Sequence, residues 1–325
     1  MDRAELARHL DRTLHTPQPG LVPGAAHRSG KVRDIWDLGA SLLVLVSDRV
    51  SAFDRVLTTI PCKGEVLNRI SLFWFGQTRD IIANHVIDSP SPRSTLVRKC
   101  RVVPIEVVVR GYLTGSAWRD YGKGGVVSGI RLPGGLRENQ RFERPLLTPS
   151  TKEEQGEHDR PISRAAIVAE GRVPEVLWRR IEEAALALFG RGTQLLASRG
   201  LILVDTKYEF GLIDDELLLI DEVHTPDSSR FWYASEYESR FARGEPQRQL
   251  DKEYLRRWLM ERGFMGEGEP PSIPDDVRIE TGHRYLATYE AITGEGFVPR
   301  AGSAEEEAAT LRAWRAWRAW REKLR

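Results

Sequence analysis

The chain contains the segment LILVDTKYEFG at residues 201–211, followed closely by LLLIDEVHTPDSSRFW at residues 217–232. The first segment alternates with a period of two residues, which predicts a β-strand. Asp205, Lys207 and Glu209 then point to one face of that strand. Burying two carboxylates and an ammonium group on one face is costly unless they hold something, such as a metal ion and a phosphate.

The second segment places Asp221 at the end of an apolar run, and the LIDDE sequence at residues 212–216 predicts a hairpin between the two segments. A three-residue loop centred on Asp215 puts Asp221 opposite Glu209 on the same face. A two-residue loop shifts the register by one residue and removes this pairing. We expect the three-residue loop, because two facing carboxylates beside Lys207 suit Mg²⁺ and a nucleotide phosphate.

The composition is that of a soluble globular protein, and a length of 325 residues accommodates two domains. A net charge of +1 gives no global field that favours nucleic acid or an anionic membrane. Cys62 and Cys100 have no metal-ligand or redox spacing, so we expect a cytoplasmic protein. Residues 1–14 resemble a polar helix more than a signal peptide, and no apolar run is long enough to span a membrane.

Apolar periodicity, caps and breakers give a coarse map of the secondary structure. A hairpin is predicted from strands at 31–36 and 42–46, and residues 101–110 predict either a pair of strands or one bent strand. Residues 144–163 have no clear periodicity and predict a functional loop. Helices are predicted at 2–14, 65–84, 174–200, 249–263, 275–294 and 304–325.

Two short motifs have the chemistry of anion sites. Arg110 follows a buried run and precedes Thr114-Gly115-Ser116, so a guanidinium, hydroxyls and backbone N–H groups lie close together. Ser29-Gly30-Lys31 precedes a strand, where backbone N–H groups and the lysine can close over phosphates. The second motif alone is weak, because an ordinary turn has the same composition.

The C-terminal helix contains Trp314, Trp317 and Trp320 at intervals of three residues. This apolar stripe indicates a helix docked on the body of the protein or on a second subunit. A role at a membrane surface or on a nucleic acid is the alternative.

Taken together, six blocks resemble the SAICAR synthetase family, the phosphoribosylaminoimidazole-succinocarboxamide synthases. The resemblance covers residues 20–260, and the blocks occur in the expected order. The blocks are SGKVRD (29–34), SDRVSAFD (47–54), VVPIEVVVRGYLTGS (102–116), LTPSTKEEQGEHD (147–159), LVDTKYEFG (203–211) and IDEVHTPDSSRFW (220–232).

The resemblance implies an α+β, two-lobed fold, with a smaller N-terminal antiparallel-sheet lobe and a larger α+β lobe akin to ATP-grasp enzymes and protein kinases. The expected domain ranges are 1–105, 106–262 and a helical extension at 263–325. The implied enzyme is an ATP-dependent ligase of purine biosynthesis. It joins carboxyaminoimidazole ribonucleotide (CAIR) to L-aspartate, giving SAICAR, ADP and phosphate through an acyl phosphate, with Mg²⁺ as cofactor.

The resemblance also implies a role for individual residues. Lys207, Glu209 and Asp221 are the expected catalytic residues, and the last two are the expected Mg²⁺ ligands. The adenine-contacting hinge is expected within residues 102–106. The expected ATP-binding residues are Gly30, Lys31, Arg33, Glu106 and Lys207. The expected substrate-binding residues are Arg110, Ser116, Lys152, Asp159 and Arg230.

Two other classes of function remain open at this point. One is another ATP-dependent ligase or phosphotransferase on the same fold, which would share Lys207, Glu209 and Asp221 but would not need Arg110 or Arg230. The other is a non-catalytic nucleotide-binding protein that interacts through its C-terminal helix. The expected partners are the small molecules ATP, CAIR and L-aspartate, with no nucleic acid or membrane, and the tryptophan-rich helix offers a contact for a second copy or another partner.

Overall fold

The structure is a computed structural model that describes residues 1–18, 20–152, 160–250 and 252–323. Helices and antiparallel sheets are mixed along the chain, which confirms the predicted α+β class. Among the described residues, no helix is both long enough and apolar enough to cross a membrane.

The bounds of the elements are as follows. The helices are α1 (Arg3–Ala7), α2 (Lys63–Gln77), α3 (Gly115–Gly124), α4 (Arg164–Ala169), α5 (Glu175–Ala197), α6 (Ala234–Arg243), α7 (Glu253–Met260), α8 (Asp275–Thr293) and α9 (Ala304–Lys323). The strands are β1 (Ala26–Ser29), β2 (Arg33–Asp37), β3 (Ser41–Val46), β4 (Arg49–Ala52), β5 (Arg55–Thr59), β6 (Val86–Ser91), β7 (Ser94–Arg98), β8 (Arg101–Val102), β9 (Ile105–Leu113), β10 (Val126–Val127), β11 (Ile130–Arg131), β12 (Gln140–Leu147), β13 (Ser150–Thr151), β14 (Leu201–Ile213), β15 (Glu216–Ile220) and β16 (Ser229–Tyr233).

The chain forms two compact units. Unit 1 comprises Met1–Phe73, His85–Lys99 and Asp251–Arg325, and unit 2 comprises Trp74–Asn84 and Cys100–Leu250. The domain ranges expected from the sequence refer to functional lobes, and they stay a prediction.

Unit 1 is built on a five-stranded antiparallel sheet with the order β1-β2-β3-β7-β6. The β2–β3 hairpin confirms the sequence prediction, and its turn is closed by the Asp37 carboxylate, which accepts a hydrogen bond of 2.9 Å from the Gly39 N–H. Residues 30–32 connect β1 to β2. The segment at 47–54 contains β4 and buries the Arg49 side chain.

Helix α9 docks on unit 1, as the main interpretation of the tryptophan stripe predicted. Its Leu311 is fully buried with Trp36 and Leu43 of the sheet. The Trp314 indole N–H donates to an Asp88 carboxylate oxygen over 2.8 Å. Trp317 is 47% exposed. The contact of this helix with a partner stays a prediction, and the Trp320 side chain lies outside the described residues.

Unit 2 is built on a seven-stranded antiparallel sheet centred on β14, which pairs with β8, β9, β15 and β16. Strands β12 and β13 pair with β9. Helix α5 packs against β14 and buries an apolar stripe that includes Trp178, Ile181 and Leu188. Pro174 is the N-cap residue of this helix, and Gly200, with a φ of +71°, lies two residues after the C-cap Ser198.

Two local predictions were incomplete. Residues 115–124 form helix α3, which the glycine-rich sequence concealed. The segment at 144–163 is partly regular, because β12 extends to Leu147 and β13 pairs with β9. Residues 153–159, which include Glu157, His158 and Asp159, lie outside the described part of the chain.

Candidate active site

Strands β9 and β14 gather charged side chains on one face of the unit 2 sheet. Along β9, Ile105, Val107 and Val109 are fully buried, whereas Glu106 and Arg110 alternate with them and are partly exposed. In the β9–β14 pairing, Asp205 lies opposite Arg110 and Lys207 lies opposite Val108. Since directly opposed residues of paired strands share a face, the alternate residues form one surface. We call this surface the charged face, and it comprises Glu106, Arg110, Asp205, Lys207, Glu209 and Arg230.

Asp205 lies at the centre of the arginine end of the charged face. It is opposite Arg110 on one neighbouring strand and opposite Arg230 on the other. Its Oδ2 atom is 3.2 Å from Arg110 Nη1 and 3.4 Å from Arg230 Nη1. A carboxylate that is only 5% exposed needs such partners. The pairing therefore holds two guanidinium groups close together.

The Arg110 guanidinium is held by hydroxyl groups as well. Its Nε donates to Thr148 Oγ1 over 2.8 Å, and its Nη2 donates to Ser116 Oγ over 3.1 Å. Ser116 belongs to the first turn of α3, whose backbone N–H groups have no helical acceptors. A helix N-terminus beside two arginines is suited to an anion. Burial and the neighbouring Arg230 lower the pKa of Arg110, although Asp205 opposes this shift, so a bound anion would relieve the crowding of positive charge.

Gly115 lies directly against the Arg230 guanidinium. Its φ is +60°, and a Cβ atom on this residue would lie 2.2 Å from Arg230 Nη1. Only glycine accommodates both the left-handed backbone and this close approach. The absence of a Cβ atom at Gly115 therefore leaves the space that the Arg230 guanidinium occupies.

Lys207 lies at the centre of the other end of the charged face. Its Nζ is 2.7 Å from Glu106 Oε1 and 2.5 Å from Glu209 Oε1. The second oxygen of Glu209 accepts a hydrogen bond from Lys152. Burial alone would lower the pKa of Lys207, but the charges of Glu209, Asp221 and Glu106 outweigh burial and raise it above its ordinary value. Lys207 therefore stays an ammonium group and is unsuited to act as a base.

The expected register between Glu209 and Asp221 was wrong. Glu209 lies opposite Ile220, and Ile213 lies opposite Glu216, so the hairpin loop has two residues. Asp214 adopts a φ of +51°, as short hairpin loops require. Asp221 follows the last paired residue with a φ of +68°, outside the strand alternation. Asp221 therefore does not face Glu209, although its charge is among those that raise the pKa of Lys207.

The charged face also allows a test of the expected Mg²⁺ site. In the described ranges, no group of three or more His, Cys, Asp or Glu side chains has the arrangement of a metal site. Mg²⁺ commonly takes only one or two protein carboxylates and completes its shell with water and substrate phosphates. The charges of Glu209 and Asp221 both raise the pKa of Lys207, and the two carboxylates provide hard oxygen donors. They fit an ion that arrives with a nucleotide, and they do not form an all-protein cage.

The remaining expected ATP residues lie together in unit 1. Gly30 and Lys31 are exposed in the β1–β2 connection, and the Gly30 N–H donates to the Arg33 carbonyl over 2.7 Å, which closes the turn. The Lys31 ammonium group is 2.5 Å from the Asp54 carboxylate, and both side chains are largely exposed. The turn therefore exposes its backbone and the Lys31 ammonium group at the surface of unit 1.

The sequence motifs contain three further residues that organise the site, but the motifs alone did not indicate the specific role of each. Asp205 was placed on the correct face but was given no role, although its spacing of two from Lys207 was a usable signal. Thr148 and Gly115 contact the arginines through pairings that no local pattern reveals. Asp159 lies outside the described residues, so its expected role stays a prediction.

Comparisons with known proteins agree with this geometry. The SAICAR synthetase family model matches residues 26–271. The phosphoribosylaminoimidazole-succinocarboxamide synthase of Bacteroides thetaiotaomicron is 47% identical over 275 residues, which are 83% of this chain and 87% of the relative. The synthase of Legionella pneumophila strain Paris is 45% identical over 284 residues, with 85% and 90% of the two chains covered.

Solved structures give the same result. The SAICAR synthase from Saccharomyces cerevisiae in complex with SAICAR superposes with a TM-score of 0.78 at 36% identity, covering 88% of this chain and 100% of that one. A type-2 SAICAR synthetase in complex with ADP gives a TM-score of 0.64 at 26% identity, covering 84% and 100%. The chain therefore belongs to the SAICAR synthetase family, the ligases that form SAICAR in purine biosynthesis.

Proposed function

We propose that the charged face is where this chain carries out the reaction of its family. The reaction joins the carboxylate of CAIR to the amine of L-aspartate and converts ATP to ADP and phosphate. An amine does not attack a carboxylate at neutral pH, so phosphorylation to an acyl phosphate supplies the leaving group. The observation that carries the proposal is the alignment of Arg110, Lys207 and Arg230 along one sheet face, because the reaction brings several anions together.

The arginine end is assigned to the phosphate of CAIR. Arg110 and Arg230 share Asp205, so both guanidinium groups are held in place before any ligand binds. Ser116 and the N-terminus of α3 add a hydroxyl and backbone N–H donors. This combination matches the donors that a phosphate monoester accepts.

The lysine end is assigned to the reacting phosphoryl group. Lys207 is a fixed cation beside Glu106 and Glu209, so it donates hydrogen bonds to developing negative charge and does not accept a proton. Lys152 reaches the same carboxylate and is assigned to substrate binding. Asp159 is also proposed to bind substrate.

Glu209 and Asp221 are assigned to Mg²⁺. The ion, when bound with the nucleotide, would neutralise charge on the phosphate oxygens. Glu209 forms ion pairs with both Lys207 and Lys152. The two lysines thus hold the Glu209 carboxylate in place at the proposed metal site.

In unit 1, Gly30, Lys31 and Arg33 are assigned to the phosphates of ATP. The exposed turn and its cation support this assignment. The chain is further proposed to work in the cytoplasm, since Cys62 and Cys100 are both free thiols.

The proposed function is tested by following ADP release with ATP, Mg²⁺, L-aspartate and CAIR, each omitted in turn. We expect formation of SAICAR only with all four, because the amide bond requires an activated carboxylate. ADP release that ignores CAIR or L-aspartate would instead indicate a different ATP-dependent ligase or phosphotransferase.

Glu209→Gln is expected to lower kcat about 100-fold or more, because the substitution removes the charge of a proposed metal ligand. Turnover is measured at saturating Mg²⁺, and circular dichroism checks that the variant is folded. Glu216→Gln, at an exposed position of the neighbouring strand β15, is the matched control and should retain normal turnover. Near-normal kcat for Glu209→Gln would reject the assignment.

Gly115→Ala is expected to raise KM for CAIR roughly tenfold or more, because the new Cβ displaces Arg230 and weakens a charge-assisted hydrogen bond. KM for ATP should change far less. Gly122→Ala lies in the same helix, where a Cβ meets no atom within 4 Å, and it should leave both constants unchanged. An unchanged KM for CAIR in Gly115→Ala would remove Arg230 from the CAIR site.

A further inference from the structure

The side chain of Arg49 is buried directly beneath the β1–β2 turn. It is only 5% exposed, and its Nη2 donates to a carboxylate oxygen of the equally buried Asp34 over 2.9 Å. None of the roles assigned above uses this arginine. Its remaining hydrogen bonds go to three backbone carbonyls and to the Ser29 hydroxyl.

Two of these carbonyls, those of Gly30 and Lys31, belong to the turn, and the third is that of His15. The Nη2 atom of Arg49 donates to the Gly30 carbonyl over 3.1 Å, and its Nε donates to the Lys31 carbonyl over 3.0 Å. The next carbonyl, that of Val32, accepts from Ser47 N over 2.9 Å and from Ser47 Oγ over 2.8 Å. Two residues of the β3–β4 segment therefore capture three successive carbonyls of the turn.

Capturing these carbonyls also orients the N–H groups. A trans peptide unit is planar, and its C=O and N–H bonds point in opposite directions. The N–H groups of Lys31 and Val32 are thus directed away from the Arg49 guanidinium, and within the described chain they donate to no acceptor. Successive N–H groups that point outward from a turn form a concavity suited to anions.

We propose that Arg49 is a positioning residue that organises the backbone of the turn at Gly30–Val32 for the phosphates of the nucleotide. It acts through the turn and does not touch the ligand. The inference rests on the assignment of ATP phosphates to Gly30 and Lys31. The shape of the turn is then due to the fork geometry of one buried guanidinium group, that of Arg49.

The test is the affinity of the full-length chain for ADP, measured by calorimetry with Mg²⁺ and without turnover. Arg49→Lys retains the charge, but a single ammonium group does not span both carbonyls and Asp34. We expect its Kd for ADP to rise about tenfold, the effect of one lost charge-assisted hydrogen bond. The Kd for SAICAR, measured separately, should change less than about twofold, which is far below the tenfold rise expected in the Kd for ADP.

Arg93→Lys is the matched control, since Arg93 is also buried in unit 1 but hydrogen-bonds Asp48 over 2.8 Å and not the turn. The Arg93→Lys substitution should lower thermal stability without weakening ADP binding. An equal loss of ADP affinity in both variants, or an unchanged Kd in Arg49→Lys, would overturn the inference.

If Arg49→Lys does not fold, Ser47→Ala decides the question. This variant removes the hydroxyl that binds the Val32 carbonyl but keeps the backbone N–H. A measurable weakening of ADP binding supports the inference, and an unchanged Kd contradicts it. Absence of SAICAR formation by the wild-type chain would reject the proposed function, whereas the ADP titrations still decide whether Arg49 shapes the turn.

Discussion

The register of β14 against β9 and β16 is the constraint on which the candidate site depends. It places Asp205 between Arg110 and Arg230, and it places Lys207 within reach of Glu106. Side chains alternate along a strand, so a shift of one residue would move every charged group of β14 to the face packed by α5. The buried alternation of Tyr208 and Phe210 opposes such a shift, because these rings would then lose their place in the core.

Charge pairing explains how so many ionised groups remain on a largely buried surface. Each carboxylate has a cationic neighbour, as in the contacts of Asp205 with two arginines and of Glu209 with two lysines. These pairs hold the donors of an anion site in place before the ligand arrives, which is the condition for electrostatic preorganisation. Under the proposed function, a triphosphate would bring its own divalent cation to this face, because the cations here are already paired with carboxylates.

Much of the fold and part of the site followed from the sequence. The alternation of residues 201–211 predicted the charged strand, and the helix predicted at 174–200 corresponds to α5 at Glu175–Ala197. The hairpin register failed because loop length depends on backbone conformation at Asp214, which residue type alone does not determine. Helix α3 was missed because tertiary contacts outweigh the low helix propensity of its glycines. Cross-strand partners such as Thr148 are distant in sequence, so no local pattern indicates them.

A crystal structure of this chain with SAICAR, ADP and Mg²⁺ tests the central claim most directly. The account predicts that the product phosphate lies within hydrogen-bond distance of Arg110, Ser116 and Arg230. It also predicts that the metal is bound by Glu209 and Asp221, with Lys207 on a phosphate oxygen. A product phosphate away from both arginines, or a metal held without either carboxylate, would contradict the assignment of the charged face.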